Sequence, residues 1–248
     1  ITNASDRYIL TAMKGLSENG IYSVSYKIPS ILNVVQAIFS QAWIMSAVKA
    51  YDDKEAEFIN KTYTIYNALF VIMCSSIIIF VKIITKILVA NDFYEAWRYA
   101  PFLMVSVLFT SLSNFLGGIF AASKQSTMLG KTTIIGAVIN IVLNVILINY
   151  MGTMGAAIST MISYIFVWLF RLIYGKKITN LNIKMRRDII GYLILIVQAI
   201  IINILKVDTY VYSLEILLFI LLIIIYKKEI LGIIIAIRKR IENKKNNI

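Results

Sequence analysis

The 248-residue chain is 59% hydrophobic and 15% charged, with a mean hydropathy of +0.79 and a net charge of +12. A soluble domain has roughly 45–50% apolar and about 25% charged residues, so lipid is the solvent for most of this chain. There is no His, and the single Cys74 lies in the apolar run 68–81. Histidine acid–base catalysis, a Ser-His-Asp triad, His metal ligands, an internal disulfide and a CxxC centre are therefore excluded, and an enzyme is not expected.

A spanning helix needs about 20 mostly apolar residues. Residues 1–10 are too few and read as the tail of a longer helix. The chain opens on Ile1 with no signal-peptide pattern, which suggests a fragment lacking its N-terminal part. Asp6 and Arg7 close this tail, with Lys14 in the connection. Side by side they suit a structural ion pair or a functional role equally, and the guanidinium fork is the group that grips phosphate.

Residues 21–47 form the first full span. Ser23, Lys27, Ser30, Asn33, Ala37, Ser40 and Gln41 recur every three or four residues as one small polar stripe. Pro29 inside it predicts a kink or an opened hydrogen-bond ladder. Tight helix packing with a snorkelling Lys27 is one reading of the stripe. Its length favours the other, the wall of a water-filled cavity.

The next spans are 63–89, 97–122, 132–150, 154–174, 189–205 and 210–226. Lys82, Lys86 and Arg171 lie near span ends and read as snorkelling side chains, and Trp97, Arg98 and Tyr99 as an interfacial belt. Ser113, Asn114, Gly117 and Gly118 form a small-residue patch. Gly136, Asn140 and Asn144, like Gly155, Ser159 and Ser163, repeat every four residues and predict close helix packing with shared hydrogen bonds. Asn140 and Asn144 can also reach a sugar, although packing is the preferred reading. Glu215 is a proton site or, preferably, an outer-edge residue. No stretch alternates with period two, so the fold class is an all-α polytopic membrane bundle.

Basic residues fall in alternate loops: Lys49, Lys54 and Lys61; Lys124 and Lys131; Lys176, Lys177, Lys184, Arg186 and Arg187; then the tail 227–245. The loops between hold almost none, Lys206 being the exception. The positive-inside rule makes the rich set, and the C-terminus, cytoplasmic. The tail 238–245 comes after apolar residues 230–237 and is expected on the anionic inner leaflet, so the positive charge implies no nucleic-acid partner.

The strings Ser5-Asp6-Arg7-Tyr8-Ile9-Leu10 and Gly20-Ile21-Tyr22-Ser23-Val24-Ser25-Tyr26-Lys27-Ile28-Pro29 resemble bacterial polysaccharide repeat-unit flippases of the Wzx type, members of the MOP superfamily. So does Asn140-x-x-x-Asn144 together with residues 152–160. The resemblance covers essentially the whole chain. It implies the C-terminal lobe of a MOP/MATE-like transporter, with residues 1–175 as the lobe, 176–226 as an extra helix pair behind a basic loop, and 227–248 as a basic amphipathic tail. It also implies alternating access through a cationic cavity, with Asp6, Arg7, Lys27, Ser23, Ser30, Asn33 and Gln41 on the path.

The implied substrate is an undecaprenyl-pyrophosphate-linked oligosaccharide, moved across the bacterial cytoplasmic membrane for surface polysaccharide synthesis. Membrane lipids and other polysaccharide-assembly proteins are the expected partners. No cofactor is expected, and coupling to H+ or Na+ is left open. A MATE-like drug exporter would want a carboxylate facing its cationic cargo. A polymerase would want a large outer loop, and an acyltransferase a His; both are weaker alternatives.

Overall fold

The computed structural model describes residues 2–52, 55–179, 181–205 and 209–246, which are helical apart from short connections, with no strand among them. The helices are α1 (Thr2–Lys14), α2 (Leu16–Ser25), α3 (Ser30–Asp52), α4 (Ala56–Ile79), α5 (Val81–Leu88) and α6 (Ala100–Ala122). They continue with α7 (Ser126–Met151), α8 (Thr153–Thr179), α9 (Met185–Ile204), α10 (Thr209–Ile225) and α11 (Lys227–Asn246). Among the described residues, α3, α4, α6, α7, α8 and α9 are long and apolar enough to cross a membrane, and α10 is a shorter apolar helix. Lys54 and Lys206 of the charge pattern lie outside the described residues, as does Ile1.

Two expected spans are not single helices. The stretch 21–47 breaks at residues 26–29, because Pro29 has no N–H to continue the ladder. The chain crosses the break on turn bonds, Lys27 N–H to Val24 O at 3.0 Å and Ser30 N–H to Tyr26 O at 3.1 Å. The stretch 63–89 starts earlier, at Ala56, and its helix ends at Ile79. The short amphipathic α5 continues the chain, burying Val81 and Thr85 and leaving Ile83, Lys86 and Ile87 uncovered. A 3₁₀ helix, Asn91–Arg98, then leads into α6. Lys82 does not snorkel freely: its ammonium sits 3.7 Å from the centre of the Trp97 ring. Arg98 pairs on the surface with Glu95 at 3.3 Å.

Helix α6 is the centre of the bundle. It is apolar on nearly every side, and it is buried along almost its whole length between α3, α4, α8 and α9. Trp43 of α3 lies flat on Phe115, ring centres 3.9 Å apart, and its indole N–H donates to Phe115 O at 2.8 Å. Gly118 makes that approach possible, since a Cβ there would stand 2.6 Å from the indole nitrogen. On the far side the Trp168 indole donates to Tyr63 OH at 3.0 Å, and Tyr192 OH donates to Asn67 Oδ1 at 2.9 Å.

Helices α7 and α8 form a hairpin turned at Gly152 with φ +60°, a left-handed conformation that favours glycine. Three residues on, a Cβ at Gly155 would fall 2.2 Å from Leu147 O, where backbone cannot yield. Gly155→Ala should therefore wedge the hairpin open and destabilise the protein by about 1–3 kcal/mol. Thermal unfolding in detergent checks this, with Gly130→Ala, which meets nothing within 4 Å, as the neutral control.

The helix ends sort into two sets. Ala50, Asp52, Ile59, Ile178 and Thr179 line one cavity of about 430 Å³, so the end of α3 and the start of α4 meet the end of α8. At the same end Arg187 pairs with Asp188 at 2.9 Å and with Glu229, Lys184 approaches Glu229 at 3.9 Å, and Tyr226 OH donates to Asp188 at 3.3 Å. This knot ties the starts of α9 and α11 at the basic end of the bundle. At the opposite end Thr153 donates to Glu18, joining the α7–α8 turn to α2. Helix α8 runs past residue 175 to Thr179, so the expected boundary between lobe and helix pair falls inside a helix. The pair α9–α10 packs on α4.

Candidate functional site

Asp6 and Arg7, neighbours in sequence, point opposite ways. Asp6 is 0% exposed. Its carboxylate accepts from Asn144 Nδ2 at 2.6 Å, Thr160 Oγ1 at 2.6 Å, Tyr22 OH at 3.1 Å and Tyr26 OH at 3.4 Å. Four helices build the knot. The α1–α2 hairpin supplies the carboxylate and Tyr22. The i, i+4 pair Asn140 and Asn144 comes from α7, and Thr160 from α8. Ser5 Oγ donates to Asn140 Oδ1 at 3.2 Å, fixing the register of α1 on α7. Asn140 Nδ2 and Asn144 Oδ1 are buried without a hydrogen-bond partner among the described residues.

No basic side chain pairs with Asp6 among the described residues. With no cationic side chain beside it, the carboxylate is satisfied by these neutral donors alone. Asn144 turns its amide nitrogen to the carboxylate, and the Thr160 hydroxyl lies within reach of both Asp6 and Ala156 O, the latter at 3.0 Å. No group of three or more His, Cys, Asp or Glu residues occurs among the described residues. The carboxylate expected on the transport path is thus enclosed within the lobe. Sequence spacing assigns Asn140 and Asn144 a packing role and does not single out Thr160, Tyr22 or Tyr26 as partners of Asp6. The four-residue Asn spacing at mid-span is the one signal that marks the site.

Arg7 is exposed, its guanidinium 5.9 Å from the Tyr26 ring centre. Lys27 is exposed in the break after α2. Neither forms an ion pair among the described residues. Ser23 is half-buried and donates to Asn19 Oδ1 at 3.4 Å. Ser30, Asn33, Ala37 and Gln41 are exposed along α3, and Ser30 Oγ donates back to Lys27 O at 2.5 Å. The opposite side of α3, with Leu32, Trp43, Ala47 and Ala50, is buried. The structure therefore keeps Arg7, Lys27, Ser30, Asn33 and Gln41 uncovered, with Ser23 partly so, while Asp6 is separated from them.

Two charges sit deeper than snorkelling would put them. Arg171 is only 7% exposed and is held among neutral groups: Nε to Thr132 Oγ1 at 3.1 Å, Nη1 to Ser113 O at 2.9 Å and Nη2 to Thr133 Oγ1 at 3.1 Å. Glu215, expected at an outer edge, is 0% exposed, and neither carboxyl oxygen has a hydrogen-bond partner among the described residues. Its backbone O accepts from Gln198 Nε2 at 3.3 Å, and Gln198 Oε1 accepts from Ser75 at 2.7 Å.

Comparison with known proteins gives one family. The family model described as lipid II flippase MurJ matches residues 17–220. A solved structure of lipid II flippase MurJ in an inward closed conformation superposes with a TM-score of 0.61, at 13% identity over 92% of this chain and 53% of that one. An outward-facing multidrug resistance MATE family transporter of the MOP superfamily gives a TM-score of 0.36, at 16% identity over 77% of this chain and 54% of that one. The chain thus spans about half the length of the structures it matches. No curated protein matches its sequence.

Proposed function

Because the chain belongs to the lipid II flippase MurJ family, we propose that it forms one lobe of an alternating-access flippase for a polyprenyl-pyrophosphate-linked saccharide. The membrane is a bacterial cytoplasmic membrane, with the basic end of the bundle and the C-terminus on the cytoplasmic side. The observation that carries this reading is that Arg7 and Lys27 are both exposed and have no carboxylate partner among the described residues. A lysine or arginine near a membrane centre costs about 2.5–3.5 kcal/mol on insertion scales, and an anionic cargo offsets that cost. A pyrophosphate head group, itself expensive to bring out of water, is the complementary charge.

The enclosure of Asp6 supports the same choice. A cationic drug would need that carboxylate on the open face, and it is turned inward. Asp6 instead serves as the coupling group, loading a proton or an alkali cation that biases the packing of α1 against α7 and α8. The finer substrate reading, an oligosaccharide repeat unit, rests on the strings at residues 5–10 and 20–29.

Deleting the gene and probing lipid-linked saccharides with a membrane-impermeant sugar label tests both levels. Repeat units trapped on the cytoplasmic face, with peptidoglycan precursors unaffected, are the expected result. Trapped lipid II would move the substrate to peptidoglycan. Normal external display of both would contradict the flippase reading.

A further inference from the structure

We propose that Arg171 is a phosphate-binding site at the basic end of the lobe, separate from the Arg7 and Lys27 face. The inference rests on the flippase reading and adds a second anion site to it. A guanidinium carries five N–H donors. Three are used, by Thr132, Ser113 O and Thr133, all neutral. No carboxylate pairs with Arg171 among the described residues. The charge is therefore positioned by hydrogen bonds but not neutralised, an arrangement that favours an incoming anion.

The space beside it is suitable. Arg171 lines two cavities at once. One, of about 200 Å³, lies among Thr110, Ser113, Asn114, Thr133 and Ser163. The other, of about 440 Å³, is lined by Gln36, Ser40, Asn114 and Gly117. Each holds several waters' worth of volume, at roughly 30 Å³ per water. Asn114 and Arg171 are common to both. Ser113, whose backbone O accepts from Arg171, also lines the smaller cavity, and its buried Oγ has no hydrogen-bond partner among the described residues. Gly117 is a close neighbour, since a Cβ there would come 3.4 Å from Nη1.

Ser40 belongs both to the larger cavity and to the polar stripe of α3, so this cavity borders the helix that carries the stripe. With the basic end cytoplasmic, Arg171 meets a phosphate group before Lys27 does. The bound chemistry is a phosphate or diphosphate, from a lipid head group or from solution. Gln at position 171 removes the charge, and Lys keeps it while losing the fork.

The test uses the full-length protein in nanodiscs and three variants: Arg171→Gln, Arg171→Lys and Thr133→Val. Binding is measured separately for farnesyl pyrophosphate and for inorganic pyrophosphate. Wild type should bind, Arg171→Gln should weaken binding at least tenfold, and Arg171→Lys and Thr133→Val should fall between. A loss confined to farnesyl pyrophosphate assigns the site to a lipid head group. A loss for inorganic pyrophosphate as well assigns it to the phosphate alone. Equal binding by wild type and all three folded variants overturns the site. If Lys27→Gln then abolishes binding, the flippase reading survives that failure. If wild type binds neither probe, both are overturned. Should Arg171→Gln fail to fold, unchanged binding in Arg171→Lys and Thr133→Val overturns the site by itself.

Discussion

Asp6→Asn should leave the protein folded in the membrane with its transport at background. Asparagine has the shape to stay within the knot of Tyr22, Asn144 and Thr160, whose donors reach the native carboxylate at 3.1, 2.6 and 2.6 Å. It lacks the charge that can take up a proton or a cation, so the coupling step is lost while the packing survives. Asp6→Ala is a different lesion. It removes the acceptor from several buried donors, each costing about 1–3 kcal/mol when left unsatisfied, and should lower thermal stability as well as activity. Comparing the melting temperatures of the two variants with their transport rates separates coupling from structure. Normal transport by Asp6→Asn would reduce Asp6 to a packing residue.

The second large effect is expected at Lys27. Lys27→Glu places an anion on the face proposed to meet the head group, where repulsion would replace attraction across a poorly screened distance. Export should be abolished, Lys27→Ala should be intermediate, and Arg7→Ala should add to it. Lys27 is exposed and makes no ion pair among the described residues, so membrane abundance should be unchanged in all three variants. Immunoblots of membranes beside polymer yield check both halves of the prediction. A fall in abundance that parallels the fall in export would assign Lys27 to folding.

The helices were legible because hydropathy reports burial in lipid directly. The polar stripe came from three- and four-residue spacing, and the Pro29 break from the missing N–H. What sequence could not supply was which side of a helix meets which neighbour. Asp6 and Arg7 are adjacent in the chain, yet roughly 100° of helical rotation sends one into the lobe and the other out of it. Arg171 and Glu215 looked like edge residues because distance from a span end measures depth along the membrane, whereas burial depends on lateral packing. Arg171 faces α6 and α7, and Glu215 is buried where its backbone O accepts from Gln198 of α9. Asn140, Asn144 and Thr160 form a site only through Asp6, which is far from all three in the chain.

The central proposal is that the protein carries an anionic lipid head group across the membrane, and reconstitution tests it most directly. Full-length protein in liposomes would be given a fluorescent polyprenyl-pyrophosphate saccharide, and its arrival in the opposite leaflet tracked with an impermeant quencher. The account predicts protein-dependent translocation that disappears in Lys27→Glu and Asp6→Asn, and is absent for the same saccharide on an uncharged lipid. Translocation of the uncharged lipid at the same rate, or full activity in Lys27→Glu, would contradict it.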